Sequence, residues 1–177
     1  MKLKKNLVFL GMMGSGKTSI GSIVSKKLKS NFIDVDDEIE KEFGMKISKI
    51  FETEGESFFR ELEEKITLKI LQKNNCVISL GGGTFLNQNI KSEILKNHLS
   101  FWLNWDTKTL VNRIKNSAKR PIAFKSSKKE LIELINKRSN TYAKALYKIN
   151  CENLTKSEIV KRILDILDIN ENNQITD

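Results

Sequence analysis

Short apolar runs alternate with amphipathic segments along the whole chain. Apolar residues recurring every three or four positions predict helices near 17–29, 56–72, 107–117, 128–145 and 155–168. Continuous apolar runs predict buried strands at NLVFLG (6–11), NFIDVD (31–36), CVISLG (76–81), LSFWLNW (99–105) and LYKINC (146–151). Because strands that alternate with helices build parallel sheets, we predict an α/β, three-layer fold around a central five-stranded parallel sheet.

The composition is typical of one soluble domain. With 39% hydrophobic and 30% charged residues, the chain can bury its own core, so we treat 1–177 as one domain whose polar tail, 170–177, frays. No apolar run approaches the roughly 20 residues that cross a membrane. Cys76 and Cys151 lack the spacing of a metal or redox site, which predicts reduced core thiols in a cytoplasmic protein. Since His98 is the only histidine, a histidine-based metal site or catalytic triad is disfavoured.

The net charge of +9 comes mostly from lysine. The lysines are spread along the chain without a basic block, which favours a solvated surface first, attraction of anionic small molecules second and nucleic-acid binding third. Arginine is rare, and its planar guanidinium matches the oxygens of carboxylates and phosphates. The five arginines are therefore candidates for anion binding: Arg60, Arg113, Arg120, Arg138 and Arg162.

The segment GMMGSGKT (11–18) matches the phosphate-loop pattern, with a predicted strand before it and an amphipathic helix after it. Its glycines let backbone N–H groups wrap the β- and γ-phosphates, and the N-terminus of the next helix adds unpaired donors. Lys17 would reach the phosphate oxygens and the Thr18 hydroxyl would bind Mg²⁺. The sequence therefore predicts binding of a nucleoside triphosphate.

Two aspartates and two arginines favour an acceptor that carries both a carboxylate and hydroxyls. Asp34 and Asp36 end the second predicted strand, where side chains two apart share a face and ligands of open parallel sheets bind. Either aspartate could instead cap the following helix. Arg60 could form a surface ion pair with a glutamate one turn away, although lysine would serve as well. Arg138 lies in the helix before the last predicted strand.

Three consecutive glycines, 81–83, follow the third predicted strand in SLGGGT. A tight turn is one explanation, because glycine adopts backbone conformations that other residues avoid. The other is that backbone amides approach the substrate where any Cβ would collide. The arginines and aspartates favour this second explanation.

Six motifs in order, GMMGSGKT, DVD, FFRELEE, SLGGGT, KRPI and NKRSNTY, resemble those of the shikimate kinases over nearly the whole chain. The resemblance implies a P-loop αβα fold with a helical substrate-binding subdomain at about 34–63 and a mobile lid at about 115–128. Ser79 stands where many phosphate-loop enzymes have a magnesium-coupled aspartate, as is usual in this family. We expect a monomer that binds the small molecules ATP and shikimate, with no nucleic-acid or membrane partner.

The resemblance also implies a role for each site residue. Those expected to bind ATP are Gly14, Ser15, Gly16, Lys17, Thr18, Ser19, Arg113 and Arg120. Those expected to bind shikimate are Asp36, Arg60, Gly82, Gly83 and Arg138, with the arginines on its carboxylate and Asp36 on its ring hydroxyls. Thr18 and, through water, Asp34 would hold Mg²⁺, and Lys17, Asp36 and Arg120 would be catalytic.

Further implied roles concern the surroundings of the site. Arg113 would stack on the adenine, and Arg120 with Pro121 would open the lid. The apolar wall of the subdomain would be formed by Ile47, Phe51 and Phe59, and Glu63 would brace Arg60. Arg162 has no assigned role.

The predicted reaction is in-line transfer of the γ-phosphoryl group of ATP to the 3-hydroxyl of shikimate, giving shikimate 3-phosphate and ADP. Positioning and charge stabilisation dominate such reactions. One alternative is another small-molecule kinase of the same fold, for gluconate or a nucleoside monophosphate. The other is a nucleotide-dependent switch or nucleic-acid-binding module. The ordered motifs favour shikimate, and the lack of a clustered basic patch disfavours nucleic acid.

Overall fold

A five-stranded parallel sheet forms the centre of the molecule, as the sequence predicts. The computed structural model describes residues 3–116 and 127–173, the last five of these by backbone alone. The strands are β1 (Leu7–Leu10), β2 (Asn31–Asp34), β3 (Cys76–Ser79), β4 (Leu99–Asn104) and β5 (Tyr147–Asn150). They are arranged in the order β2-β3-β1-β4-β5, and every neighbouring pair is parallel.

Eight α-helices and one short 3-10 helix surround the sheet in the described residues. The α-helices are α1 (Lys17–Leu28), α2 (Val35–Phe43), α3 (Ile47–Thr53), α4 (Gly55–Leu71), α5 (Gln88–Asn97), α6 (Thr107–Lys115), α7 (Lys128–Tyr142) and α8 (Lys156–Asn173). The 3-10 helix, Thr84–Leu86, follows β3. None of the helices in these ranges is both long and apolar enough to cross a membrane.

Two hydrophobic clusters, one on each face of the sheet, make the fold three-layered. Along β1, Leu7 and Phe9 face one cluster, which also contains apolar residues of α1 and α8. Val8 and Leu10 face the other cluster, to which α2 to α7 contribute. All four residues are fully buried, so β1 reads as a continuous apolar run in the sequence.

The second predicted strand is wrong at its end, because helix α2 begins at Val35. Asp34 is the N-cap of α2, and its carboxylate accepts a hydrogen bond from the Asp36 backbone N–H at 3.1 Å. The first turn contains three further acidic residues, which the helix dipole favours there. Asp36 therefore lies on the helix and does not share a strand face with Asp34. The capping alternative is confirmed for Asp34.

The remaining differences concern helices and ends. Helix α5 is absent from the predicted elements, and α8 continues beyond residue 168 to Asn173, into the tail expected to fray. The predicted lid, 115–128, is described only at its ends, where α6 ends at Lys115 and α7 begins at Lys128; Arg120 and Pro121 lie outside the described residues. Both cysteines are buried and unbonded, as predicted.

Candidate functional site

The phosphate loop joins β1 to α1 and keeps its glycines for geometric reasons. Gly14 and Gly16 have φ of +80° and +91°, in the left-handed region that side chains disfavour. At Gly11, an added Cβ would lie 3.0 Å from the backbone oxygen of Leu103 in β4. The loop closes with a hydrogen bond from the Ser15 N–H to the Met12 carbonyl at 3.1 Å.

Two polar side chains of this loop are buried inside it. Lys17 as a whole is 8% exposed, and its ammonium donates to the carbonyls of Gly11 and Met12 at 2.9 and 3.1 Å. The Ser15 hydroxyl is also buried and has no hydrogen-bond partner among the described residues. A buried hydroxyl without a partner costs free energy unless a ligand pairs with it. The loop therefore contains a hydroxyl that is left for a ligand to pair with. Ser19, in the first turn of α1, is exposed.

Thr18 and Asp34 meet at the mouth of this loop. The Thr18 hydroxyl donates to Oδ2 of Asp34 at 2.7 Å, while Oδ1 of Asp34 caps α2. A hydroxyl and a carboxylate are hard oxygen ligands of the kind that Mg²⁺ prefers, together with waters and substrate phosphates. The donor set therefore fits the predicted ion.

A cleft of about 710 Å³ opens beside the loop, at the carboxyl edge of the sheet. It brings together eight of the predicted site residues: Lys17, Thr18, Asp34, Asp36, Arg60, Gly82, Gly83 and Arg138. Gly81, the first of the three consecutive glycines, lines it as well. The expected apolar wall lines it as well, through Ile47, Phe51 and Phe59. Ser79, at the end of β3, also faces this cleft.

Arg60, on α4, is fixed by two glutamates of its own helix. Its Nη1 donates to the buried carboxylate of Glu63 at 2.7 Å, and its Nη2 donates to Glu56 at 3.1 Å. The surface ion pair anticipated as an alternative is therefore present with Glu56. Glu64, one turn along the helix in the other direction, instead accepts from two asparagines at the start of α5. Burial alone would lower the pKa of Arg60, but these hydrogen bonds outweigh burial and raise it, so the guanidinium stays charged.

Glu63 links Arg60 to the glycine segment. It is only 3% exposed and accepts from the Thr84 hydroxyl at 2.6 Å through its second oxygen. A buried carboxylate needs such partners to remain charged. Thr84, which is fully buried, directly follows the three glycines and was not singled out by the sequence. The brace therefore runs from Arg60 through Glu63 to Thr84.

The three glycines leave room for the side chains of the site. A Cβ at Gly81 would lie 2.6 Å from Oδ1 of Asp36 and 2.8 Å from the Thr84 hydroxyl, both closer than real contacts allow. A Cβ at Gly83 would lie 3.0 Å from Nη1 of Arg60. Gly81, Gly82 and Gly83 have φ outside the left-handed region, so room for neighbouring side chains explains Gly81 and Gly83 better than turn geometry does. The approach of their backbone amides to a substrate stays a prediction.

Arg138 reaches the glycine segment from α7. Its Nη1 donates to the Gly82 carbonyl at 3.1 Å, and the Tyr142 hydroxyl donates to the same oxygen. Nε of Arg138 is buried without a hydrogen-bond partner among the described residues, so this guanidinium keeps an unused donor. Burial raises the pKa of Tyr142 to about 12, which keeps the phenol a neutral donor. Tyr142 lies one turn after Arg138, a spacing that could have suggested it.

Arg113 lies against the phosphate loop but does not line the cleft. Its Cζ is 3.6 Å from the centroid of the Trp105 indole, and its Cβ packs against Gly14. The indole N–H of Trp105 donates to the Ser15 carbonyl at 2.9 Å. Sequence reasoning placed Arg113 at the nucleotide but missed Trp105. Arg162 is exposed on α8 and lines no part of the cleft.

Comparison with known proteins gives one consistent result. A family model described as shikimate kinase matches residues 13–168. The shikimate kinase of Sulfurihydrogenibium sp. (strain YO3AOP1) is 41% identical over 160 residues, covering 90% of this chain and 96% of that protein. The crystal structure of shikimate kinase from Bacteroides thetaiotaomicron has a TM-score of 0.84 at 29% identity, covering 93% of this chain and 98% of that one. Shikimate kinase from Acinetobacter baumannii in complex with shikimate has a TM-score of 0.87 at 25% identity, covering 94% of each chain.

Proposed function

The chain belongs to the shikimate kinase family of ATP-using small-molecule kinases, and we propose how its residues divide the phosphorylation of shikimate between the loop and the cleft. One observation supports the scheme above all others. A single cleft contains the phosphate-loop lysine, Asp36, and two guanidinium groups from different helices. A phosphate donor and a carboxylate-bearing acceptor can therefore bind side by side, as in-line transfer requires.

On the donor side, Lys17 and the loop N–H groups hold the phosphates of ATP. The ammonium already lies against the loop carbonyls, where it can exchange those hydrogen bonds for phosphoryl oxygens. The Ser15 hydroxyl gains a partner at the same time. Thr18 and Asp34 would hold Mg²⁺, which would supply positive charge against the phosphate oxygens.

On the acceptor side, Arg60 and Arg138 bind the carboxylate of shikimate. Both guanidinium groups line the cleft beside Gly82 and Gly83, whose backbone lies against them. Asp36 accepts from the ring hydroxyls and orients the 3-hydroxyl toward the γ-phosphate. A carboxylate that also accepts the proton of the hydroxyl accelerates such a reaction about 10²–10⁴-fold.

Arg120 completes the scheme by analogy with arginine fingers that neutralise charge on transferred phosphoryl groups. It lies in the segment KRPI, between α6 and α7, for which we propose the role of a lid. Closure of such a segment excludes water that would otherwise hydrolyse ATP.

We further propose that the enzyme acts as a cytoplasmic monomer. Within the described residues, the phosphate-loop lysine, Asp36 and both guanidinium groups already meet in one cleft, which supports a site formed by a single subunit. The two buried free thiols fit a reducing compartment.

A coupled assay of ADP release tests the acceptor directly. ATP is supplied with shikimate, gluconate or a nucleoside monophosphate, and with no acceptor. We expect fast, saturable ADP release when shikimate is the acceptor, and not with gluconate, a nucleoside monophosphate or no acceptor. Equal release with gluconate, or release that needs no acceptor, would overturn the proposed division of roles.

A further inference from the structure

Trp105 connects two parts of the nucleotide side of the site. Its indole N–H donates to the Ser15 carbonyl in the phosphate loop at 2.9 Å, and its ring face lies 3.6 Å from Cζ of Arg113. We propose that Trp105 is a positioning residue: it holds the Arg113 guanidinium as a flat platform for the adenine of ATP. This inference rests on the proposed function and on the stacking of Arg113 on the adenine, which the family resemblance implies.

The fold places the indole there by short-range geometry. Trp105 directly follows β4, which pairs with β1 in the register Leu10 to Trp102, so the chain leaves the sheet beside the start of the phosphate loop. Asp106 then caps α6 by accepting from the Thr109 N–H at 2.7 Å. Arg113 lies in the last turn of that helix and is thereby directed back over the indole.

The stacking geometry suits a second flat partner. A guanidinium group is planar, delocalised and weakly hydrated, so it stacks well on aromatic faces. A distance of 3.6 Å between Cζ of Arg113 and the indole centroid leaves room only for a guanidinium that lies nearly flat on the ring, while the residue as a whole is exposed. The opposite face is the one that an incoming purine can cover.

Restraint of Arg113 before ATP binds favours binding. A free arginine side chain loses considerable rotamer entropy when a ligand orders it. Because the indole already restrains the guanidinium, less entropy remains to be lost when the base arrives. The indole N–H acts in parallel by fixing the carbonyl of Ser15, which lies next to the backbone donors of the loop.

The test compares a ligand with a base and a ligand without one. Dissociation constants for MgADP and for inorganic tripolyphosphate are measured by calorimetry on wild type, Trp105→Leu and Trp105→Phe. The ratio of the two constants cancels any general change in the loop. In Trp105→Leu we expect the affinity for MgADP to fall about five- to tenfold more than the affinity for tripolyphosphate does. Trp105→Phe keeps a ring under the guanidinium, so its ratio of the two dissociation constants should stay close to that of wild type.

A double-mutant cycle shows whether Trp105 acts through Arg113. In an Arg113→Met background, Trp105→Leu should leave the ratio unchanged. An unchanged ratio in the single variant, or an equal fall in both backgrounds, would overturn the proposal. Phosphorylation of shikimate by the wild-type preparation is assayed separately, so a failure of the proposed function is seen independently of the ratio.

Fluorescence gives a second readout in nearly native protein. Trp102→Phe leaves Trp105 as the only tryptophan of the chain. Both ligands enter the loop whose Ser15 carbonyl accepts from the indole, but only MgADP carries a base, so MgADP should change the Trp105 emission clearly more than tripolyphosphate does. An equal response to both ligands, or a response to neither, would contradict the platform even if Trp105→Leu does not fold.

Discussion

Arg60 and Arg138 reach the same cleft from different helices and are held in different ways. Arg60 is paired with two glutamates of its own helix, one of them buried, so its position does not depend on a ligand. Arg138 donates to a backbone carbonyl and keeps its buried Nε without a partner among the described residues. Of the two, Arg138 therefore has more hydrogen-bonding capacity left for an anionic substrate.

Replacement of Arg138 by alanine should raise the KM for shikimate much more than it lowers kcat. Loss of a charged hydrogen-bonding partner costs about 1.5–3 kcal/mol, or roughly tenfold to hundredfold in KM. Arg138→Lys should fall between, since lysine lacks the planar fork. Arg162→Ala is the matched control on the exposed surface of α8. A wild-type KM for shikimate in Arg138→Ala would remove Arg138 from the acceptor site.

The glycine segment gives a graded prediction. Gly81→Ala places a methyl group 2.6 Å from Asp36, whereas Gly83→Ala meets the movable end of Arg60 at 3.0 Å. Overpacking of this kind costs about 1–3 kcal/mol of folding stability. Because the displaced group is the Asp36 carboxylate, we also expect Gly81→Ala to reduce kcat/KM for shikimate by up to about hundredfold. The reduction of kcat/KM should be smaller in Gly83→Ala. Steady-state kinetics would contradict this steric explanation of the glycines if Gly83→Ala lost more kcat/KM than Gly81→Ala.

Residue types alone could predict which arginines, aspartates and glycines belong to the site, but not which residues they contact. The arginines, aspartates and glycines stand out because their chemistry is unusual in a lysine-rich chain. Thr84, Trp105 and Tyr142 do not, because a threonine or an aromatic residue is most often ordinary core. Their roles follow only from partners distant in sequence, such as Glu63, 21 positions from Thr84, and Ser15, 90 positions from Trp105.

At the scale of elements, the boundary between β2 and α2 decides the geometry of the two aspartates. The alternation of apolar and polar residues in NFIDVD also fits a strand, but Asp34 is a strong N-cap and the acidic residues after it favour a helix. Asp34 consequently has two roles, since one oxygen caps α2 and the other accepts from Thr18. Capping and the proposed metal binding can be separated by mutation.

Asp34→Asn should keep the helix cap and lose the metal function. Asparagine caps helices about as well as aspartate, so thermal stability should stay near that of wild type. The lost charge should raise the Mg²⁺ concentration needed for half-maximal activity. Asp34→Ala, which removes both functions, should in addition lose about 1 kcal/mol of stability. An unchanged Mg²⁺ requirement in Asp34→Asn would show that Asp34 does not act on the metal.

Helix α5 shows why amphipathic periodicity alone was insufficient. Its buried face consists of only Ile90 and Ile94, a pattern too sparse to distinguish from a loop. The stronger signal is Asn87, whose side chain accepts from the N–H groups of Asn89 and Ile90 at 2.9 and 3.1 Å. A capping residue therefore marks this helix better than its hydrophobic face.

At the scale of the whole molecule, the chemistry is confined to one edge of the sheet. The phosphate loop and the glycine segment follow the carboxyl ends of β1 and β3, next to each other in the sheet. This arrangement follows from parallel topology, which the alternation of strands and helices could predict. The segment between residues 116 and 127 could be assigned only by resemblance, because the sequence there has no periodic pattern to fix its contacts.

His98, the only histidine of the sequence, lies before β4 at the opposite edge of the sheet. Its protonation should affect the stability of the fold without affecting catalysis. Burial lowers the pKa of His98 below its usual 6.5, with Lys5 adding to this effect and Glu93 opposing it. The unfolded chain therefore binds the proton more readily, and stability should fall as the pH drops below about 6.5. His98→Gln should remove this part of the acid sensitivity. The Tm of wild type and of His98→Gln is measured at pH 8 and at pH 5. An equal fall in Tm between these pH values in both proteins would contradict the assignment.

The central claim, that the cleft binds the acceptor through its two arginines beside the phosphate loop, is tested most directly by a crystal structure with MgADP and shikimate. We expect the shikimate carboxylate to lie about 2.7–2.9 Å from nitrogens of both Arg60 and Arg138, with a ring hydroxyl on Asp36. Shikimate bound elsewhere, or in the cleft with its carboxylate away from both guanidinium groups, would contradict the claim.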